Sequence, residues 1–163
     1  MYPNAKYYGT PRHLRKQPEI PWVGAINDVQ FKDTLYPSEL SFAITPCCDF
    51  EDPNFEGHHV MSVLAFHHKS RTLHNDDTFT YFSNVPWPLT WLGVKKDDLK
   101  FNFQLKPILK ASKTPNAMTV YRDWYRHEVL DKWSIENACL AHDGVLVGGA
   151  QEKFEGLMSF FNK

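Results

Sequence analysis

The stretch Gly57-His58-His59-Val60-Met61-Ser62-Val63-Leu64-Ala65-Phe66-His67-His68-Lys69-Ser70-Arg71-Thr72-Leu73-His74-Asn75-Asp76-Asp77 decides the fold. Along residues 60–66, Val60, Ser62, Leu64 and Phe66 alternate with Met61, Val63 and Ala65, the two-residue period of a strand. Both sets are largely apolar, so both faces of this strand are expected to be covered. His67-His68-Lys69-Ser70 then reads as a hairpin tip, and residues 71–75 as the returning strand. Asp76-Asp77-Thr78 ends it. Far downstream, Leu140-Ala141-His142-Asp143-Gly144 closes another apolar run. A Gly-His leading into a strand, a strand ending in Asp and a later strand ending in His are together the layout of a metal site. His58, Asp77 and His142 stand at strand ends, where ligands from separate elements can converge.

Working outward, residues 5–8 read as a short strand stopped by Gly9-Thr10-Pro11, and residues 12–16 as a helical turn with Pro11 near its first position. Residues 41–45 are a second strand candidate, closed by Pro46, and residues 49–56 an acidic loop. Residues 83–100 hold Pro86, Pro88, Gly93 and two tryptophans, and read as an irregular connection in which Trp87 and Trp91 either line a substrate mouth or, the favoured reading, fill space beneath a loop. The best helix is 118–133. Tyr121, Tyr125, Val129 and Trp133 form a ladder with a spacing of four, and Asn116 is placed to cap it. Residues 135–141 return as a buried strand. Gly148-Gly149 opens a last helix that carries Phe154, Leu157, Met158 and Phe161 on one face. Helices and strands alternate in the second half, so the fold class is α/β or α+β.

Hydrophobic residues are 42% of the 163, enough to build a core, and residues 1–163 read as a single domain. The formal net charge is -1. That balance gives no electrostatic footprint for nucleic acid or for an anionic membrane. No apolar run approaches the length of a membrane span, and residues 1–6 show no signal peptide. Cys47, Cys48 and Cys139 are an odd set without CxxC spacing, which suits a reducing compartment, so cytoplasm is expected. Cys48 and Cys139 read as small buried apolar groups.

The proposed ligands have the atoms zinc prefers, imidazole nitrogen and carboxylate oxygen. Asp76 and Asp143 can hydrogen-bond a ligating imidazole and fix its orientation. Each residue also has a plain reading. Asp77 can N-cap the segment that follows, and His142 can be an ordinary turn residue before Asp-Gly. His67 and His68, beside Lys69 and Arg71, read as exposed tip residues rather than ligands.

These residues carry a resemblance. Gly57-His58-His59-Val60-Met61-Ser62 resembles the Gly-His-x-x-Gly-Ser element of the metallo-β-lactamase-like superfamily. Leu73-His74-Asn75-Asp76-Asp77 resembles its strand ending in Gly-Asp, and Ala141-His142-Asp143-Gly144 its late His-Gly element. Tyr2 to Pro11, Ser70 to Asp77 and Ala141 to Gly144 resemble pieces of one uncharacterised family within that superfamily, so that the likeness spans the chain. The resemblance implies an α/β fold like the C-terminal half of an αββα sandwich. It implies a metal-dependent hydrolase acting on a small molecule through a metal-bound hydroxide, with one or two ions of zinc, iron or manganese. The superfamily's His-x-His-x-Asp-His motif is absent from these residues, and Met61 stands where that superfamily has Gly. The first half of the usual fold is therefore expected to be missing. A half-sandwich would expose a sheet edge, through which a homodimer could form. The competing reading is a degenerate or truncated member with a structural or partner-binding role.

Overall fold

In a computed structural model of the chain, the described residues are 2, 4–28, 36, 38–47, 62–141 and 144–162. The first element pair is β1 (Tyr7–Gly9) and β2 (Trp22–Ala25), which run parallel and are joined by helix α1 (Pro11–Lys16). Pro11 occupies the first turn of α1, where its missing N–H costs nothing. The Thr10 N–H donates to His13 Nδ1 at 3.1 Å, and the Trp22 indole N–H donates to the Gln17 carbonyl at 2.8 Å.

The main sheet has five strands: β3 (Leu40–Ile44), β4 (Val63–His67), β5 (Thr72–Asn75), β8 (Asn137–Leu140) and β9 (Gly144–Val147). They lie side by side in that order. β3, β4 and β5 form an antiparallel meander, β5 and β8 are parallel, and β9 returns antiparallel to β8. Between β5 and β8 come β6 (Phe79–Tyr81) and β7 (Leu99–Phe101), an antiparallel pair linked through helix α2 (Trp87–Trp91). Helices α3 (Leu105–Ala111) and α4 (Ala117–Trp124) follow, and α4 widens into a π turn over Tyr125–Leu130. Helix α5 (Ala150–Gly156) closes the chain and tightens to 3-10 geometry over Leu157–Asn162.

Cross-strand register sorts the sheet into two faces. Phe66, Leu73, Ala138 and Leu146 form one row, and all four are buried. Ala43 and Leu64 are register partners in the next row, also buried. Phe66 stacks on Trp133 of the segment leading into β8, ring centroids 5.2 Å apart. The other face differs: Phe42, Ala65 and Cys139 are half-buried, His74 is exposed, and Val145 and Val147 are 57% and 79% exposed. Full cover of β4 is therefore found on one face only, and Cys139 is half-buried rather than sealed. Trp133, which follows the π turn, covers the Phe66 side, while the apolar side chains of the other face are only partly buried.

The aromatic ladder is in the core as the spacing requires. Tyr121, Tyr125 and Val129 are fully buried and Trp133 nearly so. A strict spacing of four drifts by about 40° per step around an α-helix. The wider π turn, marked by the Asp131 N–H reaching the Arg126 carbonyl at 2.9 Å, winds more slowly and returns the ladder to the sheet. Asn116 does stand at the N-terminal boundary of α4, but in the left-handed region with φ 54°, and its side chain makes no capping bond. Its carbonyl accepts the Thr119 and Val120 N–H groups instead. Gly148 and Gly149 both have positive φ, 76° and 65°, which accounts for glycine at both positions before α5.

The parallel pair is clamped at its N-terminal end. The Arg71 guanidinium donates to the Ser134 carbonyl and hydroxyl and faces Glu136 at 3.6 Å. The Asn137 side chain donates to the Ser70 carbonyl at 2.9 Å and accepts the Gly148 N–H at 3.0 Å. Trp87 and Trp91 depart from the sequence reading: they are not beneath a loop but 69% and 79% exposed. β9 was not expected.

The Tyr125 hydroxyl donates to the Phe154 carbonyl at 2.8 Å inside the core, tying the π turn to α5. Burial first, then Tyr121 and Glu155, pushes this phenol well above its ordinary pKa, so it stays a donor. Phe154→Ala is expected to cost about 3–5 kcal/mol and Tyr125→Phe about 1 kcal/mol in urea unfolding. Equal effects of the two would contradict this account of the core.

Candidate functional site at one edge of the sheet

Parallel strands end on the same side of a sheet, and antiparallel neighbours begin where the others end. Asn75, the last residue of β5, is the register partner of Leu140, the last residue of β8. Asp77 lies two residues beyond Asn75, and His142 two residues beyond Leu140. β4 runs antiparallel to β5, so its start lies at that same edge. Ser62 precedes β4 and follows His58 by four residues. His58, His142 and Asp143 themselves lie outside the described residues. The described residues that approach them along the chain, Ser62 after His58 and Leu140 and Gly144 on either side of His142 and Asp143, sit with Asn75 at one edge.

A buried polar network holds that edge. The Asn75 amide donates to Ser62 Oγ at 2.7 Å and lies 3.4 Å from Thr78 Oγ1. Its Oδ1 accepts the N–H groups of Thr78 at 3.1 Å and Phe79 at 3.2 Å. Ser62 Oγ and Thr78 Oγ1 are 3.1 Å apart. Asn75 and Thr78 are buried, so these bonds count for more than they would in water. Together they fix the turn 75–79 and tie it to the chain entering β4. Asp77 rides on that turn, half-buried, while Asp76 is exposed.

Two further features lie close by. A Cβ placed on Gly144 would stand 3.1 Å from Ser83 Oγ, so the segment after β6 rests against the start of β9. Thr45, just past the end of β3, is buried, and its hydroxyl has no hydrogen-bond partner among the described residues. Because β3 pairs antiparallel with β4, Thr45 belongs to the same edge.

Among the described residues no group of three His, Cys, Asp or Glu side chains is close enough to share a metal ion. Of the three proposed ligands only Asp77 is among those residues. His67 and His68 are engaged with hydroxyl groups: His67 Nδ1 lies 2.7 Å from Ser70 Oγ, and His68 Nε2 lies 2.7 Å from Ser41 Oγ. His67 is the last residue of β4, so the tip itself is His68 to Arg71. Cys48 lies outside the described residues. The Cys47 thiol donates to the Ala117 carbonyl at 3.6 Å, and burial raises its pKa.

A cavity of about 520 Å³ opens elsewhere, between β7 and the C-terminal helix. Asp97, Lys100, Lys106, Lys153 and Phe160 are among its lining residues, and none of the described edge residues is. Lys153 is held by the Asp97 carbonyl at 2.7 Å and Lys100 by Asp98 at 3.3 Å. We therefore place the candidate site at the sheet edge. Among the described residues no helix is long and apolar enough to cross a membrane. Compared with family models, characterised proteins and solved structures, the chain finds no match. The metallo-β-lactamase-like reading thus rests on the residues themselves.

Asn75 and its partners are not marked by the ligand pattern. Their signal is a turn signal, Asn followed three residues later by Thr at the end of an apolar strand. Asn75→Ala leaves the buried N–H groups of Thr78 and Phe79 without their acceptor and removes one of the two partners of the Ser62 hydroxyl. It is expected to cost about 1–3 kcal/mol in chemical unfolding, and Ser62→Ala about 1 kcal/mol. A loss at Asn75 no larger than that at an exposed surface position would contradict the network.

Proposed function

We propose that the chain is a metal-dependent hydrolase-type domain of the metallo-β-lactamase-like kind, built as the C-terminal half of an αββα sandwich. In this reading His58, Asp77 and His142 hold a zinc, iron or manganese ion, and Asp76 and Asp143 orient the imidazoles. The observation that carries it is the Asn75–Leu140 register, which sends the chain toward Asp77 and His142 from neighbouring positions of one edge. Two imidazoles and one carboxylate are a donor set that fits such an ion and leaves a coordination position for solvent or substrate. The ion, when bound, would supply Lewis acidity and an acidified water.

The chain's own contribution is placement. Asn75 holds the turn that bears Asp77, so a carboxylate reaching the edge arrives with its backbone already fixed. The partly uncovered far face, with Val145 and Val147 outward, supports the half-sandwich reading, because a second sheet packs about 10 Å from the first across such a face. The same face and the outer edge of β9 are where a second copy of the chain would dock. The substrate is a small molecule approaching the edge from solvent.

The test is metal content together with thermal stability. About one ion per chain is expected after zinc loading, with the melting temperature raised over a chelated sample. Free zinc at 100 times its dissociation constant corresponds to about 2.7 kcal/mol of added stability. His58→Ala and Asp77→Ala should each lower both readouts. A folded chain that takes up no metal, with a melting temperature indifferent to zinc, would rule this function out and leave the partner-binding reading.

A further inference from the structure

The hairpin between β6 and β7 carries an exposed aromatic tip. Trp87 and Trp91 lie four residues apart on α2, their ring centroids 5.1 Å apart in an edge-on pair. They are 69% and 79% exposed, and the adjoining Leu92 is 78% exposed. Indoles turned to water in this way, joined by a leucine, form an apolar surface that isolated exposed residues do not.

The tip is a defined shape. Leu89 N–H bonds to the Pro86 carbonyl at 2.9 Å, Gly93 N–H to the Thr90 carbonyl at 3.1 Å, and the Thr90 hydroxyl to the Trp87 carbonyl at 2.6 Å. At its base the Phe82 N–H bonds to the Asp98 carbonyl and the Asp97 N–H to the Phe82 carbonyl. The Tyr81 hydroxyl donates to Asp97 Oδ1 at 2.8 Å, fastening the hairpin to the body. The tryptophans are thus held outward by a bonded turn.

Charge identifies the occupant. Residues 82–96 contain no carboxylate and end in Lys95-Lys96, both exposed. Of the two acidic residues that follow, at the base of the hairpin, Asp97 is exposed and Asp98 is half-buried. Asp97 receives the Tyr81 hydroxyl, and Asp98 receives the Lys95 N–H at 3.0 Å and faces Lys100 at 3.3 Å. Over residues 82–96 the tip itself is therefore aromatic, aliphatic and cationic, with the two aspartates at its base beside Phe82. We infer that this tip docks on an anionic lipid bilayer surface, with Trp87, Trp91 and Leu92 entering the interfacial layer and Lys95 and Lys96 meeting headgroup phosphates. Tryptophan suits that layer because its ring is apolar and its N–H is a donor. A lysine near an anionic leaflet adds an attraction that salt screens. The net charge of -1 averages this patch against the rest of the chain and so does not show it. Such docking is peripheral and reversible, and needs no spanning helix.

Co-sedimentation of the full chain with phosphatidylcholine vesicles containing about one-third phosphatidylserine tests this, beside vesicles of phosphatidylcholine alone. The chain should sediment with the anionic vesicles and be released at about 0.5 M salt. Trp87→Ala combined with Trp91→Ala should weaken binding about tenfold or more, with the melting temperature unchanged because both side chains stand in water. Lys95→Gln and Lys96→Gln should each weaken binding to the anionic vesicles about fivefold and leave any binding to neutral vesicles as it was. A wild-type chain that stays in the supernatant at low salt would overturn the proposal, as would a double tryptophan variant that binds equally well. Tryptophan-dependent self-association in sedimentation velocity, without vesicle binding, would overturn it in favour of a second copy of the chain.

Discussion

The parallel pairing of β5 with β8 is the constraint on which the rest of the structure depends. Two parallel neighbours cannot be joined by a tight turn, so the chain must leave one edge of the sheet and re-enter at the other. Residues 76–136 make that excursion, and they carry β6, β7, α3 and α4. The helical layer and the aromatic core thus arise from the crossover itself. The same pairing brings Asn75 and Leu140 to a common edge. Arg71 and Asn137 fix the opposite end, so the register that sets the candidate site is clamped at the far side of the sheet from it.

The two faces of the sheet divide the work. One is buried, with Trp133 stacked on Phe66, and the aromatic cluster of Tyr121, Tyr125 and Phe154 packs against Phe79 and Phe101 of the β6–β7 pair. The other keeps half-covered apolar residues and ends in outward valines on β9. The candidate site lies at the rim between these surfaces. There the Thr78 and Phe79 N–H groups of the 75–79 turn are satisfied by a buried amide, while Asp76 is exposed and Asp77 half-buried. A bonded backbone with carboxylates at its margin is the arrangement in which function can be added to a scaffold at little cost to its stability.

Much of this was legible in the sequence where a period carries the information. The hairpin around residues 63–75 and the Tyr121–Trp133 ladder are written as alternations of two and four; the hairpin formed there, and the helix formed but ends at Leu130, short of Trp133. The π turn was not visible, because a spacing of four fits an α-helix until the drift of successive steps is measured against a flat sheet. β9 was missed because four residues at an edge give too short a pattern. Trp87 and Trp91 were misplaced by the rule that large apolar side chains go inside, a rule that sums over a protein and does not bind each residue. At the site, ligand-type residues were easy to mark at strand ends. Asn75 was not, since its role is to bond backbone N–H groups, and that role depends on a turn geometry that residue type alone does not specify. The convergence of distant segments on one edge likewise came from register, which no local pattern encodes.

The crossover also orders events in time. β3, β4 and β5 are a meander of antiparallel neighbours, and the β4–β5 turn closes over a few residues, so that pair can form early and fast. β8 can add to it only after a loop of some sixty residues has been closed and its entropy offset by the aromatic core. The edge bearing the candidate site is therefore assembled last. A nascent or interrupted chain would display a finished hairpin, an unpaired β5 flank and an incomplete site. Competence at that edge thus reports that the whole domain has folded.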